Sequence, residues 1–277
     1  MKHFLAIILT LAACFGAQAL ALRAMGGRTT KSESNYFSSV GRIQAAASEE
    51  AAVLLLGSSI TGRLPDRANG FAGFANMGCD GGSAVDALRA IDAGLLPVAP
   101  VLVVETNTLH LALAGGSSEV GRAMRSPWFQ VGTQAPLLSA YARPSAFAYS
   151  ALLARKIGGF GDPEAGPDLG VSSGPVRLAP PAADLDLSRG KVLAEELVPL
   201  LQRLRAKGCR IVFVDLPPAG PARTAPEPWL HAIIASSGTE WWNLGGQIDP
   251  AAVVLTDGVH MDAPSAGATV RSLEQAL

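Results

Sequence analysis

The chain has 277 residues, of which 49% are hydrophobic and 16% charged, and its formal net charge is −1 at pH 7. Its 22 basic residues form no cluster that would create the positive field of a nucleic-acid-binding surface. His, Cys and acidic residues do not recur at metal-ligand spacing. We therefore expect a folded protein with no metal ion, no cofactor and no nucleic-acid partner.

The N-terminus predicts a signal peptide or an N-terminal membrane anchor over residues 1–23. Lys2 precedes an uncharged, apolar stretch from Phe4 to Leu22. Three fates remain open: cleavage at one of two small-x-small patterns within residues 17–21, retention as a span of roughly 20 residues, and acylation at Cys14. The last ranks lowest, since the residues after Cys14 stay apolar. In each case we expect the body of the protein to be exported, either periplasmic or anchored to the membrane.

Residues 24–50 are mostly polar and predict a tether followed by a short helix, and residues 51–277 follow as one domain. Within this domain, short apolar runs bounded by glycine or turn residues predict strands that are buried on both faces. The predicted strands are Ala51–Leu56, Phe71–Asn76, Val101–Glu105, Arg210–Leu216 and residues 239–244. Helical spacing predicts helices over residues 83–93, 191–207 and 264–277.

This alternation of strands and helices predicts an α/β fold. We expect a doubly wound, flavodoxin-like parallel five-stranded sheet in the order 2-1-3-4-5, with helices on both faces. A long insertion, residues 111–190, follows the third strand. Its first part, to about residue 156, has helical character, whereas residues 158–187 are rich in Gly, Pro and Asp and predict a loop or lid.

Polar residues follow the predicted strands at the sheet edge where such folds place their sites. Ser59 comes directly after the first strand, and Asp257 and His260 stand three residues apart before the last helix. A Ser at the tip of a tight turn is exposed to substrate, an imidazole can take its proton, and a carboxylate can orient the ring. The three residues therefore predict nucleophilic catalysis on an ester.

An oxyanion would need hydrogen-bond donors at the same edge. The candidates are the backbone N–H groups of Ser59 and Gly78 and the side-chain amide of Asn107, which follow strands one, two and three. Glu105 lies two residues before Asn107, so both side chains share one face of the strand. Glu105 is a candidate second-shell residue that holds a ring or a backbone donor, and a structural ion pair is an equally good explanation.

These motifs resemble the four blocks of the SGNH, or GDSL-like, hydrolases, which are named for a Ser, a Gly, an Asn and a His. The corresponding residues here are Ser59, Gly78, Asn107 and His260. Asn76–Gly81 fits the N-x-G-x-x-G form of the second block, and the D-x-x-H form of the fourth is complete. The resemblance covers roughly residues 50–110 and 205–277.

Three positions depart from the family pattern. Ser58 stands where the family usually has Asp. In the Gly-x-Asn-Asp block, Glu105 stands in place of the Gly and Thr108 in place of the Asp. Divergent blocks together with an N-terminal anchor resemble the branch linked to O-acetyl groups of surface and exopolysaccharides. The resemblance implies a carbohydrate ester as substrate, acted on by hydrolysis or by acyl transfer. It also allows a membrane acyl-transfer or polysaccharide-synthesis complex as a partner.

Two other functions remain open at this stage. A catalytically inactive member of the family would bind polysaccharide or act as a scaffold in an acetylation complex, and a lipid esterase at the membrane is a third reading. A rival motif, Gly170–Gly174, matches the G-x-S-x-G elbow of α/β-hydrolases. That elbow needs a strand before it and a helix after it, and here it lies in the Gly/Pro-rich loop, so we interpret it as coincidence.

Cys79 and Cys209 are not expected to form a disulfide, although the body of the protein is exported. Cys79 follows the second strand and so lies at the carboxyl edge of the predicted sheet, whereas Cys209 precedes the fourth strand at the amino edge. A five-residue strand spans roughly 17 Å. Bridged cysteines have Cα atoms no more than about 7 Å apart.

Overall fold

A computed structural model of the chain describes residues 2–24, 32–48, 50–157, 187–217 and 224–277. The five strands are β1 (Val53–Gly57), β2 (Phe74–Gly78), β3 (Val101–Glu105), β4 (Arg210–Asp215) and β5 (Glu240–Asn243). All neighbouring strands are parallel, in the order β2-β1-β3-β4-β5. The predicted fold class and strand order are confirmed.

Helices precede, connect and follow these strands. They are α1 (Lys2–Ala24), α2 (Asn35–Ala47), α3 (Ser59–Gly62), α4 (Ala84–Asp92), α5 (Glu119–Ala123), α6 (Pro127–Gln134), α7 (Pro144–Ile157), α8 (Leu187–Ala206), α9 (Pro228–Ser237) and α10 (Ala263–Ala276). Short 3-10 turns lie at Arg67–Asn69, Leu109–Ala114, Pro136–Leu138, Ala140–Ala142 and Pro250–Ala252.

The sheet is buried on both faces, because successive strand side chains point to opposite sides and a hydrophobic core packs against each side. On one face, Leu54 and Leu56 of β1 join a core formed with α2, α4, α8 and α9. On the other, Leu55 joins a second core with Ile60 of α3 and Val270 of α10. Burial of each such side chain contributes about 1.5–3 kcal/mol. This explains why the strands are continuous apolar runs and why the sheet is doubly wound.

The second strand ends two residues later than its sequence suggests. Asn76 looks like the end of an apolar run, yet β2 continues to Gly78 and the Asn76 side chain is 2% exposed. Its Nδ2 donates to the carbonyls of Thr61 (2.7 Å) and Leu64 (2.6 Å). A polar side chain is tolerated inside the sheet because these hydrogen bonds replace those to water.

Helix α2 belongs to the folded domain. Its residues Val40 and Ile43 lie in the same core as β1, and Gln44 links the helix to the insertion. Gln44 Nε2 donates to the Phe129 carbonyl (3.0 Å), and its Oε1 accepts from the Ala140 N–H (2.9 Å). The predicted short helix is therefore present, and its apolar side chains pack in the same core as the sheet.

The insertion after β3 contains helices α5, α6 and α7, in agreement with its predicted helical first part. Helix α8 begins at Leu187, four residues before the predicted start of that helix. The predicted loop over residues 158–187 lies outside the described residues except for Leu187, and the Gly170–Gly174 motif lies outside them entirely.

Helix α1 is long and apolar enough to cross a membrane, and its position near the N-terminus also fits a signal sequence. Most of its side chains are exposed, but its last turns contact the insertion. Gln18 Nε2 donates to the carbonyls of Leu137, at 2.9 Å, and Ala142, and Leu22 is buried. The N-terminal helix is thus in contact with the body of the protein through its carboxyl end.

Candidate active site

Ser59 is the first residue of α3, in the tight turn that leaves β1. The preceding residue, Ser58, caps this helix, because its side-chain oxygen accepts from the Ile60 N–H at 3.2 Å. A Ser at such a position often serves only as a helix cap. Here that role falls to Ser58, which leaves the Ser59 hydroxyl available for another partner.

That partner is His260. Its Nε2 lies 2.8 Å from Ser59 Oγ, and its Nδ1 lies 2.6 Å from Asp257 Oδ2. Because an ionised carboxylate only accepts hydrogen bonds, Nδ1 carries the proton in the neutral ring and Nε2 accepts from the Ser59 hydroxyl. The structure thus joins the three predicted residues in one hydrogen-bonded chain, across 201 positions of sequence.

The segment that carries Asp257 and His260 is held by its own backbone and by the core. Leu255 and Met261 pair across it and are both buried. The Thr256 N–H donates to the His260 carbonyl at 2.8 Å. Helix α10 begins directly afterwards, with Asp262 as its cap. The imidazole is therefore positioned by an anchored turn at the carboxyl edge of the sheet.

The Asp257 carboxylate is stabilised in its charged form. Partial burial raises the pKa of this carboxyl, but the hydrogen bonds from the His260 ring and from the backbone N–H groups of His260 (2.8 Å) and Val259 (3.1 Å) outweigh it. The net pKa lies below its ordinary value. Asp257 therefore stays ionised at neutral pH, where it can orient the ring and stabilise an imidazolium.

The three predicted oxyanion donors differ in availability. The Ser59 N–H has no hydrogen-bond partner among the described residues. Asn107 Nδ2 donates one hydrogen to the Leu216 carbonyl (2.8 Å), while its Oδ1 accepts from the Leu216 N–H (2.9 Å). A side-chain amide has two hydrogens, so one remains. Ser59 and Asn107 can thus still donate to a ligand.

Gly78 differs from this expectation. Its N–H donates to Asn76 Oδ1 at 2.8 Å, and its carbonyl accepts from Arg42 Nη1 at 2.5 Å. Since a backbone N–H has a single hydrogen, the predicted oxyanion donor is already engaged in this structure. What the glycine provides here is space: a Cβ on Gly78 would lie 2.3 Å from the Gly62 nitrogen.

Glu105 points at the turn that carries Ser59 and binds the residues on either side of it. Its carboxylate is 1% exposed and accepts from the Ser58 N–H at 2.8 Å and from Thr61 Oγ1 at 2.6 Å. No Lys, Arg or His side chain pairs with it in the part of the chain that the structure describes. The alternative explanation, a structural ion pair, is not supported there.

Sequence reasoning overlooked the roles of Asn76, Thr61 and Thr108. Asn76 holds the end of α3 through two carbonyls, and the two threonine hydroxyls donate to Glu105. For Asn76 a signal was available: a polar residue inside an apolar parallel strand must find buried hydrogen-bond partners. Thr61 carries no comparable signal, because Glu105 lies 44 positions away on a neighbouring strand. Thr108 stands three residues after Glu105, but its hydroxyl could equally well contact solvent or loop backbone.

A pocket of about 170 Å³ lies beyond the carboxyl ends of β2 and β3. Its lining includes Ser83, Asp86, Arg89 and Ser118, so hydrogen-bonding groups surround it.

Within the described ranges, no group of His, Cys, Asp and Glu side chains is arranged to hold a metal ion.

Comparison with known proteins returned no match: no protein-family model, no curated protein and no solved structure is similar enough to this chain to be reported.

Proposed function

We propose that this protein is an extracytoplasmic serine esterase or O-acyltransferase that acts on carbohydrate esters, such as the O-acetyl groups of a surface polysaccharide or exopolysaccharide. The observation that carries the proposal is the hydrogen-bonded chain from Ser59 through His260 to Asp257, with contacts of 2.8 and 2.6 Å. The substrate class rests on the resemblance of the divergent motifs, together with the N-terminal apolar helix, to the branch of the SGNH hydrolases linked to polysaccharide O-acetyl groups.

The proposed reaction has two steps. Ser59 Oγ attacks the ester carbonyl carbon while His260 Nε2 takes its proton, and the resulting oxyanion accepts from the Ser59 N–H and the Asn107 amide. His260 then returns the proton to the departing alcohol, which leaves an acyl-Ser59 intermediate. Water or an acceptor hydroxyl, deprotonated by His260, attacks this intermediate, and Ser59 is regenerated. Water gives hydrolysis, and a sugar hydroxyl gives acyl transfer.

The principal alternative is an inactive, polysaccharide-binding or scaffold protein that has kept the fold. Such a protein would have no need for a Ser–His contact of hydrogen-bond length, so the intact chain of contacts favours an enzyme. The three departures from the family pattern do not interrupt this chain. They contact each other instead, since Ser58 and Thr108 both bind Glu105.

Labelling with a fluorophosphonate tests the proposal directly. The purified full-length chain should be modified at Ser59, and Ser59→Ala should not react. His260→Ala should slow the labelling strongly, because the hydroxyl loses its base. Unlabelled parent protein would favour the scaffold function, and labelling that persists in Ser59→Ala would remove this residue as the nucleophile.

Substrate class and acceptor are tested with the same protein. We expect release of acetate from acetylated polysaccharide and from p-nitrophenyl acetate, and little activity on long-chain p-nitrophenyl esters. Preferred cleavage of the long-chain esters would indicate a lipid esterase instead. Adding an unacetylated oligosaccharide separates the two reactions, because a transferase would form the acetylated sugar at the expense of free acetate.

We further propose that α1 exports the body of the protein and is retained as an anchor. In support, Gln18 of this helix donates to the insertion, Leu22 is buried, and both patterns for signal cleavage lie within the same helical turns. N-terminal sequencing of the protein from a membrane fraction tests retention. A mature N-terminus near residue 20 or 22 would show cleavage, and a lipid on Cys14 would show acylation.

A further inference from the structure

We propose that Glu105 is a positioning residue whose ionised carboxylate holds the turn that carries Ser59, and so sets the direction of the Ser59 hydroxyl and N–H. The proposal rests on the catalytic function proposed for Ser59. It goes beyond that function, because it assigns the geometry of the nucleophile to a side chain that contacts neither the substrate nor His260.

The hydrogen bonds of Glu105 enclose Ser59 from both sides. Oε2 accepts from the Ser58 N–H (2.8 Å), the Thr61 N–H (3.2 Å) and Thr61 Oγ1 (2.6 Å). Oε1 accepts from Ser58 Oγ at 2.9 Å. The residue before Ser59 and the residue two positions after it are therefore bound to the same carboxylate, and the intervening backbone has little freedom to rotate.

The chemistry of these contacts indicates a charged acceptor. The two backbone N–H groups can only donate, and the hydroxyls of Ser58, Thr61 and Thr108 can all donate at the same time. A fully buried carboxylate is costly unless it is hydrogen-bonded, and five neutral donor groups provide that compensation. Hydrogen bonds to an ionised acceptor are also roughly twice as strong as neutral ones.

The sequence around Ser59 leaves room for this carboxylate. A Cβ on Gly57 would lie 2.3 Å from Glu105 Oε2 and 2.0 Å from Thr61 Oγ1, closer than any real contact of that kind. Glycine at position 57 therefore serves the close approach of Glu105 to the turn. The segment Gly57–Thr61 is shaped around a side chain that comes from the neighbouring strand.

The same network accounts for all three departures from the SGNH pattern. Relative to the family pattern, Ser58 stands in place of an Asp, Glu105 in place of a Gly, and Thr108 in place of the Asp that follows the family's Asn. Here Ser58 Oγ and Thr108 Oγ1 each lie 2.9 Å from Glu105 Oε1. The three substitutions are thus one coupled arrangement, in which the carboxylate beside the nucleophile comes from β3 instead of from the turn itself.

Two substitutions of Glu105 and one control test the proposal, all in the full-length chain. Glu105→Leu removes every acceptor, and because a displacement of about 1 Å costs on the order of 100-fold in rate, we expect fluorophosphonate labelling of Ser59 to slow by about 100-fold. Glu105→Gln keeps one acceptor oxygen without the charge and should slow labelling by about tenfold. Glu195→Gln makes the same change at an exposed carboxylate on α8, away from the turn, and should label at nearly the parent rate.

Substrate kinetics distinguish positioning from a general loss of structure. We expect kcat to fall in both Glu105 variants while KM stays close to that of the parent, and Glu105→Gln to recover much of what Glu105→Leu loses. Labelling of either folded Glu105 variant at the parent rate would overturn the proposal. If Glu105→Leu does not fold, Glu105→Gln alone decides, by the same criterion.

Hydrogen exchange separates this proposal from the proposed function. In the Glu105→Leu variant, the peptide covering residues 53–64 should exchange the amides of Ser58 and Thr61 at least about tenfold faster than in Glu195→Gln. If the parent protein is not labelled at all, the proposed function fails. The role of Glu105 is then tested by hydrogen exchange of the Ser58 and Thr61 amides alone. Unchanged protection in a folded Glu105→Gln or Glu105→Leu variant would show that the carboxylate does not hold the turn.

Discussion

The backbone of Gly62 lies so close to Gly78 that a β-carbon on Gly78 would stand 2.3 Å from the Gly62 nitrogen and 2.6 Å from its Cα. Both atoms belong to the end of the short helix that begins at Ser59, and neither can move without shifting that helix. Gly78 therefore determines how closely the turn that carries Ser59 packs on β2, whether or not the Gly78 N–H ever contacts a ligand.

Gly78→Ala should destabilise the fold and displace the turn. We expect a loss of about 1–3 kcal/mol in the free energy of unfolding, typical of overpacking, measured by chemical denaturation. Gly73→Ala is the matched control near the same strand, since the nearest atom to its new Cβ would be 3.9 Å away. Equal stability of the two variants would contradict the close packing of Gly78.

Asn76→Asp should also destabilise the protein, by a different mechanism. Asn76 Nδ2 donates to the carbonyls of Thr61 and Leu64, whereas an aspartate would place carboxylate oxygens against them. Loss of two buried hydrogen bonds with unpaired acceptors left behind costs about 1–3 kcal/mol for each group. Thermal unfolding at pH 7 checks this expectation, and Asn69→Asp, on an exposed turn, should leave the melting temperature nearly unchanged.

Asp257→Asn should lower kcat by on the order of 10³–10⁴-fold while the protein stays folded. An Asn side chain can still accept from the backbone N–H groups of Val259 and His260, but its NH₂ group would face His260 Nδ1. The ring then takes the tautomer with its proton on Nε2, and this nitrogen can no longer take the proton of Ser59. Turnover close to that of the parent would remove Asp257 from the mechanism.

The pH dependence of Asp257 follows from the direction of its pKa shift. Because its pKa in the folded protein lies below the ordinary value, its contribution to stability is present above the unfolded pKa of about 3.9. That contribution is lost only as the pH falls through the lower, folded value. We therefore expect the difference in unfolding free energy between the parent and Asp257→Asn to decrease as the pH falls from 5 to 2, measured by urea denaturation. A difference as large at pH 2 as at pH 5 would contradict an ionised Asp257 that is stabilised in the fold.

The thiols of Cys79 and Cys209 should be free and unreactive in the folded protein. Both are buried and unbridged, and burial raises the pKa of Cys79 to about 12. Titration with a thiol reagent at pH 8 should detect neither of them before denaturation and both afterwards, in addition to the exposed Cys14. Detection of Cys14 alone in the denatured, unreduced chain would indicate a disulfide and contradict the strand order.

A carboxylate beside Ser59 should be transferable from β3 to the turn. Glu105→Gly alone should slow fluorophosphonate labelling of Ser59. Adding Ser58→Asp should recover part of the rate, because Ser58 Oγ already lies 2.9 Å from the Glu105 carboxylate. The matched control is Ser58→Asp in the parent, where two carboxylates would compete for one buried space and labelling should slow. A double variant no faster than Glu105→Gly would mean that the two positions are not interchangeable.

The amino-acid sequence by itself determined the layers of this fold and the residues of the candidate triad. Apolar runs such as Val101–Glu105 are too short for typical helices and fit strands that are buried on both faces. Helices are predicted between these strands, and strands that alternate with helices form a doubly wound parallel sheet. In that sheet the carboxyl ends of the strands share an edge. The sequence therefore predicts Ser59 and His260 at the same edge, and in the structure Ser59 Oγ lies 2.8 Å from His260 Nε2.

Only the tertiary structure decided which groups at that edge remain available and which are already bound. Glu105 accepts from residues 47 and 44 positions away, and Asn76 occupies the Gly78 N–H that the sequence marked as an oxyanion donor. Hydrogen bonds of this kind depend on the register between strands and on side-chain directions within a fraction of an ångström. The spacing of residues in the sequence does not contain this information. A polar residue at a strand end has several possible hydrogen-bond partners, and the positions of the neighbouring strands decide which of them it binds.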